Sequence, residues 1–416
     1  MLYSMLEWQR AALMPLRAAN AVNSYWLESP LNPFAENEIV KNMAAAARLF
    51  DDITKNYSEP EWRIDNCTID NQDVAITPET VWRGDWCRLV HFKKNVADQP
   101  KTVVDYINKS PKVLIVAPLS GHFATLLRGT VQGFLPDHDV YITDWADAKN
   151  VPLSCGRFDL DDYIDYVRNM INHLGKGVNV LAVCQPGPPV LAAIAMMSED
   201  GDENVPDTMC FVGSPIDARK SPTIANQLAE DRPFTWFKSN MIYSVPMNYP
   251  GAMRRVYPGF VQLISFMSLN QDRHLDAHKK YFDDLVKGDG ESTARHREFY
   301  DEYLSVLDLT EEFYLQTVEK VFQEHHLALG KFYHRGRLVR PEKITHTALL
   351  TIEGELDDIS GIGQTQAAHD LCTGIPAHKQ KDHIQKGVGH YGVFNGKKFN
   401  KYIYPIQRDF IREHSK

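Results

Sequence analysis

A cysteine, an aspartate and a histidine in this 416-residue chain lie where their chemistry could be combined. Cys184 lies in "LAVCQPGPPV" (181–190), between an apolar run and three prolines within four residues. A thiol at a sharp strand-to-helix turn is open to attack, and the positive end of the helix dipole favours its thiolate. In the usual G-x-S-x-G elbow a small residue stands two places either side of the nucleophile. Here Ala182 fills the first position, Pro186 takes the second, and Gly187 comes one place late. Proline suits a first helical turn, where its missing N–H costs nothing, so a helix can begin at the cysteine. Pro188 and Pro189 lie further in and are expected to leave that turn irregular. Gln185, directly after the nucleophile, keeps its N–H and is the expected oxyanion donor. A buried cysteine is more often a small hydrophobe, and Cys210 on the next strand is read that way.

The acid is sought in "IEGELDDISG", where a strand ends in a turn. Asp357 is the first choice, Asp358 its rival, and Glu353 and Glu355 follow; either aspartate could instead cap a helix. The base is sought in "KGVGHYGVFNG": His390, in a glycine-bordered loop after the last strand, can reach across the sheet to the thiol. His383 and His122 are the alternatives among 16 histidines. The second oxyanion donor is expected in "APLSGHFATLL", at the backbone N–H of Leu119 or Ser120, with His122 close enough to touch a substrate.

These residues need strands to carry them. "KVLIVAPLSG", "HDVYITDWAD", "VNVLAVC" and "TMCFVGSPID" are short apolar runs separated by helical stretches, and "HTALLTIEGELDD" and "HIQKGVGHYGVF" add two more. Continuous apolar strands alternating with helices imply a mostly parallel sheet covered on both faces. In "DLDDYIDYVRNMINHL", Tyr163, Val167, Ile171 and Leu174 share one helical face. "DVAITPETVWRGDWCRLVHFKK" reads as a hairpin around Arg83-Gly84-Asp85. Cys, Asp and His thus fall in that order at successive strand ends, the order of an α/β-hydrolase fold.

Four segments are expected: a helical stretch over 1–60, the first part of the sheet domain over 61–228, a helical lid over 229–340, and the rest of the sheet domain over 341–416. The lid is rich in aromatics, most expected to form its own core, with Trp236 and Phe237 as candidates for substrate contact. The net charge of −9 argues against nucleic acid, which needs a concentrated basic surface. No run of 18 apolar residues predicts a membrane span. The opening "MLYSMLEWQRAALMPLRAAN" lacks the basic start of a secretory signal. Six well-separated cysteines, with no metal-ligand spacing, predict free thiols in a reducing, cytoplasmic setting and no metal site.

End to end, the chain resembles the cysteine-type intracellular poly(3-hydroxybutyrate) depolymerases. The resemblance runs through "MLYSMLEWQRAAL", "VWRGDWCRLVHF", "PLSGHFATLLRGTV", "CQPGPPVLAA", "EGELDDISG" and "GVGHYGVFNG". It implies a triad of Cys184, Asp357 and His390, a thioester acyl-enzyme, and ester hydrolysis on storage granules in the cytoplasm. It implies no cofactor, although coenzyme A could replace water as the acceptor, and it leaves a homo-oligomer open. No separate granule-binding module is evident, so residues 1–60 or the aromatic lid must make that contact. The rival readings are a polyhydroxyalkanoate synthase-like acyltransferase and a non-catalytic granule-associated protein.

Overall fold

The computed structural model describes residues 2–269 and 271–415. A nine-stranded sheet forms the centre. Its strands are β1 (Asn66–Ile69), β2 (Gln72–Arg83), β3 (Cys87–Lys94), β4 (Lys112–Val116), β5 (Asp139–Trp145), β6 (Val178–Val183), β7 (Thr208–Val212), β8 (Ala348–Gly354) and β9 (Gln380–Gln385). Their spatial order is β1-β2-β3-β5-β4-β6-β7-β8-β9. From β5 to β9 all neighbours are parallel, whereas β1, β2 and β3 form an antiparallel edge joined to β5. This is the α/β-hydrolase arrangement: the strand order reverses around β4, and the parallel strands open their carboxyl ends toward one side. The expected hairpin closes at Gly84, whose N–H donates to the Cys87 carbonyl; β1, paired to β2 across Asp70-Asn71, adds a strand to it.

The apolar runs become strands because both sheet faces are covered. Every residue of β6 and β7 is buried. One face packs on α5 (Leu160–Leu174) and α6 (Gly187–Asp200); the other packs on α3 (Lys101–Asn108), α4 (Arg128–Phe134) and the C-terminal helix Tyr404–His414. Asp159 and Asp162 form a reciprocal capping box at the start of α5, and the predicted face of Tyr163, Val167, Ile171 and Leu174 is buried. In α6 every residue from Gly187 to Met197 is buried, and a left-handed Gly201 ends the helix.

Ahead of the sheet, α1 (Leu2–Leu27) and α2 (Glu38–Thr54) pack on each other. Between β7 and β8 runs an insertion whose helices include α7 (Ile224–Asp231), α8 (Phe234–Asn240), α9 (Gly259–Leu269), α10 (Gln271–Lys287), α11 (Gly290–Tyr303) and α12 (Glu311–Thr317). It is not purely helical, as the aromatic run suggested. Tyr243–Ser244, Arg255–Tyr257 and Leu309–Thr310 pair as a small antiparallel sheet, and Tyr333–His334 pairs with Arg337–Leu338. Segments this short carry no periodic signal. Among the described residues no helix is long and apolar enough to cross a membrane.

Candidate active site

The elbow is built by the backbone. β6 ends at Val183, and Cys184 takes φ of 68°, a left-handed conformation that side chains other than glycine rarely adopt. Its N–H still donates to the Val212 carbonyl of β7 at 2.8 Å, so the turn begins only after the last ladder bond. Gln185 and Pro186 complete the turn, closed by the Gly187 N–H on the Cys184 carbonyl at 3.1 Å. Pro186 sits at φ −60° and ψ −17°, already helical. Pro188 and Pro189 do not leave the turn irregular: α6 starts only at Gly187, so both fall where no N–H is required. The displaced glycine has a cause. A Cβ on Gly187 would lie 2.4 Å from the Cβ of Ser214, so close packing against the loop after β7 demands glycine at 187 rather than 186.

The end of β8 carries the acid. His390 donates Nδ1–H to Asp357 Oδ2 at 2.8 Å, with Oδ1 at 3.0 Å. Asp357 Oδ1 also accepts the N–H of Ile359 and of Ser360, at 2.9 and 2.8 Å, which orients the carboxylate toward the histidine. Asp358 is exposed and has no hydrogen bond to His390. Glu353 is fully buried and caps the N–H groups of Gly363, Thr365 and Gln366, whereas Glu355 binds the N–H of Gly387. Both glutamates hold loops.

His390 opens a short helical turn after β9, buried, with Cys184 within hydrogen-bonding reach of its ring. Burial opposes its charge, but the Asp357 carboxylate and the Cys184 sulfur outweigh burial and hold it well above the ordinary histidine value. Gly213, at φ 54°, gives the pair room: a Cβ there would come 3.2 Å from the His390 ring and 3.3 Å from Asp357 Oδ2. Cys210 is the contrast: burial pushes its thiol up to about 12, and Gln407 Nε2 donates to its sulfur at 3.6 Å. Among the described residues no cluster of His, Cys, Asp and Glu could hold a metal ion.

The remaining predicted residues are distributed unevenly. The Leu119 N–H donates to the Gln185 side-chain carbonyl at 3.3 Å, so one expected oxyanion donor is engaged by the residue that should supply the other. Ser120 is half-buried in the same loop. His122 is buried and donates Nε2–H to the Tyr303 carbonyl at 3.1 Å, tying this loop to α11; burial lowers it to about 4. His383 lies in β9 with Nε2 3.1 Å from Gln385 Oε1. Phe237 is buried in the core, and Trp236, half-buried, stacks under Arg232 at 5.2 Å. Sequence reasoning missed Tyr391, half-buried next to His390 and facing Tyr303 with ring centres 6.2 Å apart. Its position beside the histidine was the one signal available.

Residues 213–415 match the family model described as the C-terminus of PHB de-polymerase, a span that includes Asp357 and His390. Over that span, a little under half of the chain, the protein is similar to the PHB depolymerases, which supports ester hydrolysis. Cys184 lies ahead of the matched span and stands on its geometry alone. Solved structures similar to this chain include the α/β hydrolase GrgF from Penicillium sp. sh18, at 14% identity over 82% of this chain and 99% of that one, with TM-score 0.44. A putative lipase from Acinetobacter baumannii AYE is 12% identical over 81% of this chain and 93% of its own, with TM-score 0.42. The 2-hydroxy-6-oxo-6-phenylhexa-2,4-dienoate hydrolase of Rhodococcus sp. strain RHA1 is 12% identical over 82% and 99%, with TM-score 0.41. No curated protein matches the chain.

Proposed function

We propose that this protein cleaves poly(3-hydroxybutyrate) through a Cys184–His390–Asp357 triad and a thioester intermediate. His390, oriented by Asp357, takes the thiol proton, and the thiolate attacks an ester carbonyl carbon. The oxyanion is received by the Gln185 N–H and by the Leu119 or Ser120 N–H, Leu119 becoming available once the Gln185 side chain swings aside. The ester C–O bond breaks, the alcohol end of the polymer leaves with the proton from His390, and the acyl group stays on sulfur. Water, deprotonated by His390, then attacks the thioester, releasing a 3-hydroxybutyrate unit or oligomer and restoring the thiol. Coenzyme A, a thiol, would resolve the same thioester to an acyl-CoA. The insertion acts as a lid over this site, and the enzyme works in the cytoplasm at the surface of polymer granules.

The observation that carries this reading is a histidine shared by two partners. It is bonded to Asp357, within reach of a cysteine held at positive φ, and has its charge favoured by both. The test incubates purified protein with native amorphous granules, with and without coenzyme A, and identifies products by mass spectrometry. Hydrolysis gives 3-hydroxybutyrate or oligomers in both arms; acyl-CoA in the second arm marks thiolysis. Cys184→Ala should abolish cleavage and the acyl adduct on the Cys184 peptide. Retained cleavage would remove Cys184 as nucleophile.

A further inference from the structure

Helix α1 is inverted. Its three charged residues, Glu7, Arg10 and Arg17, are half-buried and face the protein: Glu7 bonds Arg10 and the Tyr249 hydroxyl, and Arg17 bonds Asp51. No exposed residue of α1 carries a charge. Instead Met5, Trp8, Ala12, Ala19, Val22 and Trp26 are all exposed, with Pro15 completing an alternating three-and-four spacing. That spacing lays them along one stripe about 30 Å long. Trp8 is 77% exposed and Tyr25, at the stripe's edge, 82%. Leu16 on the opposite edge is exposed as well, as are Leu31 and Phe34 beyond the helix and Ile39 at the start of α2. Contiguous patches of this kind mark interaction sites, and singly scattered apolar residues do not.

We infer that the exposed stripe of α1 is the surface by which this enzyme adsorbs to the polyester phase, an inference that rests on the proposed polymer substrate. Charge selects the occupant. A neutral polyester complements an uncharged helix face on a chain of net charge −9, whereas helices that bind anionic lipid surfaces carry lysine and arginine along their polar face. Shape argues against a second copy. The tryptophans stand near the two ends of the stripe and the small residues at its middle. Two such helices laid together would be held apart at Trp8 and Trp26 and leave a void at Ala12, Pro15 and Ala19. An amorphous polymer conforms to that relief.

The stripe is also mechanically joined to the site. Tyr3 in α1 donates its hydroxyl to Asp308 Oδ2 at 2.9 Å, and the adjacent Leu307 N–H donates to the Gly121 carbonyl. Gly121 precedes His122, which binds Tyr303, and Tyr303 faces Tyr391 beside His390. Adsorption through α1 would therefore hold the polymer surface against a structure continuous with the catalytic histidine.

The full chain carrying Trp8→Glu and Trp26→Glu should co-sediment with protein-free amorphous poly(3-hydroxybutyrate) granules about ten-fold less than wild type or weaker still. Its turnover of a soluble 3-hydroxybutyrate dimer ester should be unchanged, which also reports folding. Trp8→Phe with Trp26→Phe should adsorb like wild type. Undiminished granule binding by the glutamate variant overturns the inference. So does equal wild-type binding to phosphatidylglycerol vesicles, which makes the occupant a lipid surface. A wild-type dimer that the glutamate substitutions dissociate, in sedimentation velocity, makes it a second copy. Failure of the proposed chemistry is separately visible, as soluble-ester turnover that survives Cys184→Ala.

Discussion

His390 is a buried histidine whose charge is favoured first by the Asp357 carboxylate and then by the Cys184 sulfur. Asp357→Asn keeps the side-chain shape and a carbonyl oxygen for the ring but removes the charge that offsets burial. The sign follows directly. The folded-state value of His390 is raised, so its proton is held to higher pH than in an ordinary histidine, and the variant must lose it at lower pH. A labelled-imidazole NMR titration should show that downward shift, and hydrolysis should fall by about 10³–10⁴. An unmoved titration would mean that Asp357 is not the partner that matters. Gly187→Ala probes the elbow itself. The added methyl meets Ser214 at 2.4 Å and should cost about 1–3 kcal/mol in urea unfolding, with Ser214→Gly recovering part of it. The three candidate groups, Cys184, Asp357 and His390, could be picked out in sequence because each stands just past a strand, and chain order alone brings strand ends together. Gly187 was visible only as a misplaced glycine, since Ser214, which explains it, is a long-range neighbour. The Leu119–Gln185 contact has no sequence signal at all, because it depends on where two loops meet.

At the scale of elements, α1 and the insertion meet through a buried cluster of acids. Asp308 accepts from Tyr3 and from the Gly259 N–H, while Asp147 beside it accepts the Asp308 N–H and pairs with Lys149. Burial first, and the Asp147 charge second, raise Asp308 to about 6 against the opposing pull of Lys149. A carboxyl raised on folding binds its proton more tightly in the folded state. Its contribution is therefore fully present below the unfolded value near 4 and is lost as pH rises through about 6. The unfolding free energy of wild type relative to Asp308→Asn should accordingly fall between those limits, by on the order of 2 kcal/mol. Denaturant titrations at several pH values measure it, and a flat difference would show that Asp308 stays charged throughout. The central strands β4, β6 and β7 were readable as elements because burial on both faces makes them continuously apolar, whereas β9, at the sheet edge, is polar and largely exposed. The two- and three-residue ribbons of the insertion were not, because segments this short carry no periodic signal and Leu309–Thr310 finds its partner about 50 residues back, at Arg255–Tyr257.

At the scale of the molecule, the question is whether the insertion folds with the sheet domain or beside it. Phe313 in α12 is fully buried, its ring 5.5 Å from Tyr163 of α5 and nearly parallel to it, and 5.8 Å from Phe158. Polar groups follow the same seam. Arg254 donates to the carbonyls of Val151, Pro152 and Gly156, and the Thr310 hydroxyl donates to the Phe158 carbonyl. One hydrophobic cluster runs from the sheet through α5 and α6 into the insertion. The sequence marks where the helix–strand alternation stops but says nothing of this seam, whose partners lie some 150 residues apart. A segment sharing a core cannot melt alone without exposing that core. Phe313→Ala should therefore cost about 3–5 kcal/mol and lower one cooperative calorimetric transition for the whole chain. Proteolysis within the insertion should rise with that same transition. A separate low-temperature peak, with cleavage of the insertion while β4 to β9 stay protected, would make it an independent domain.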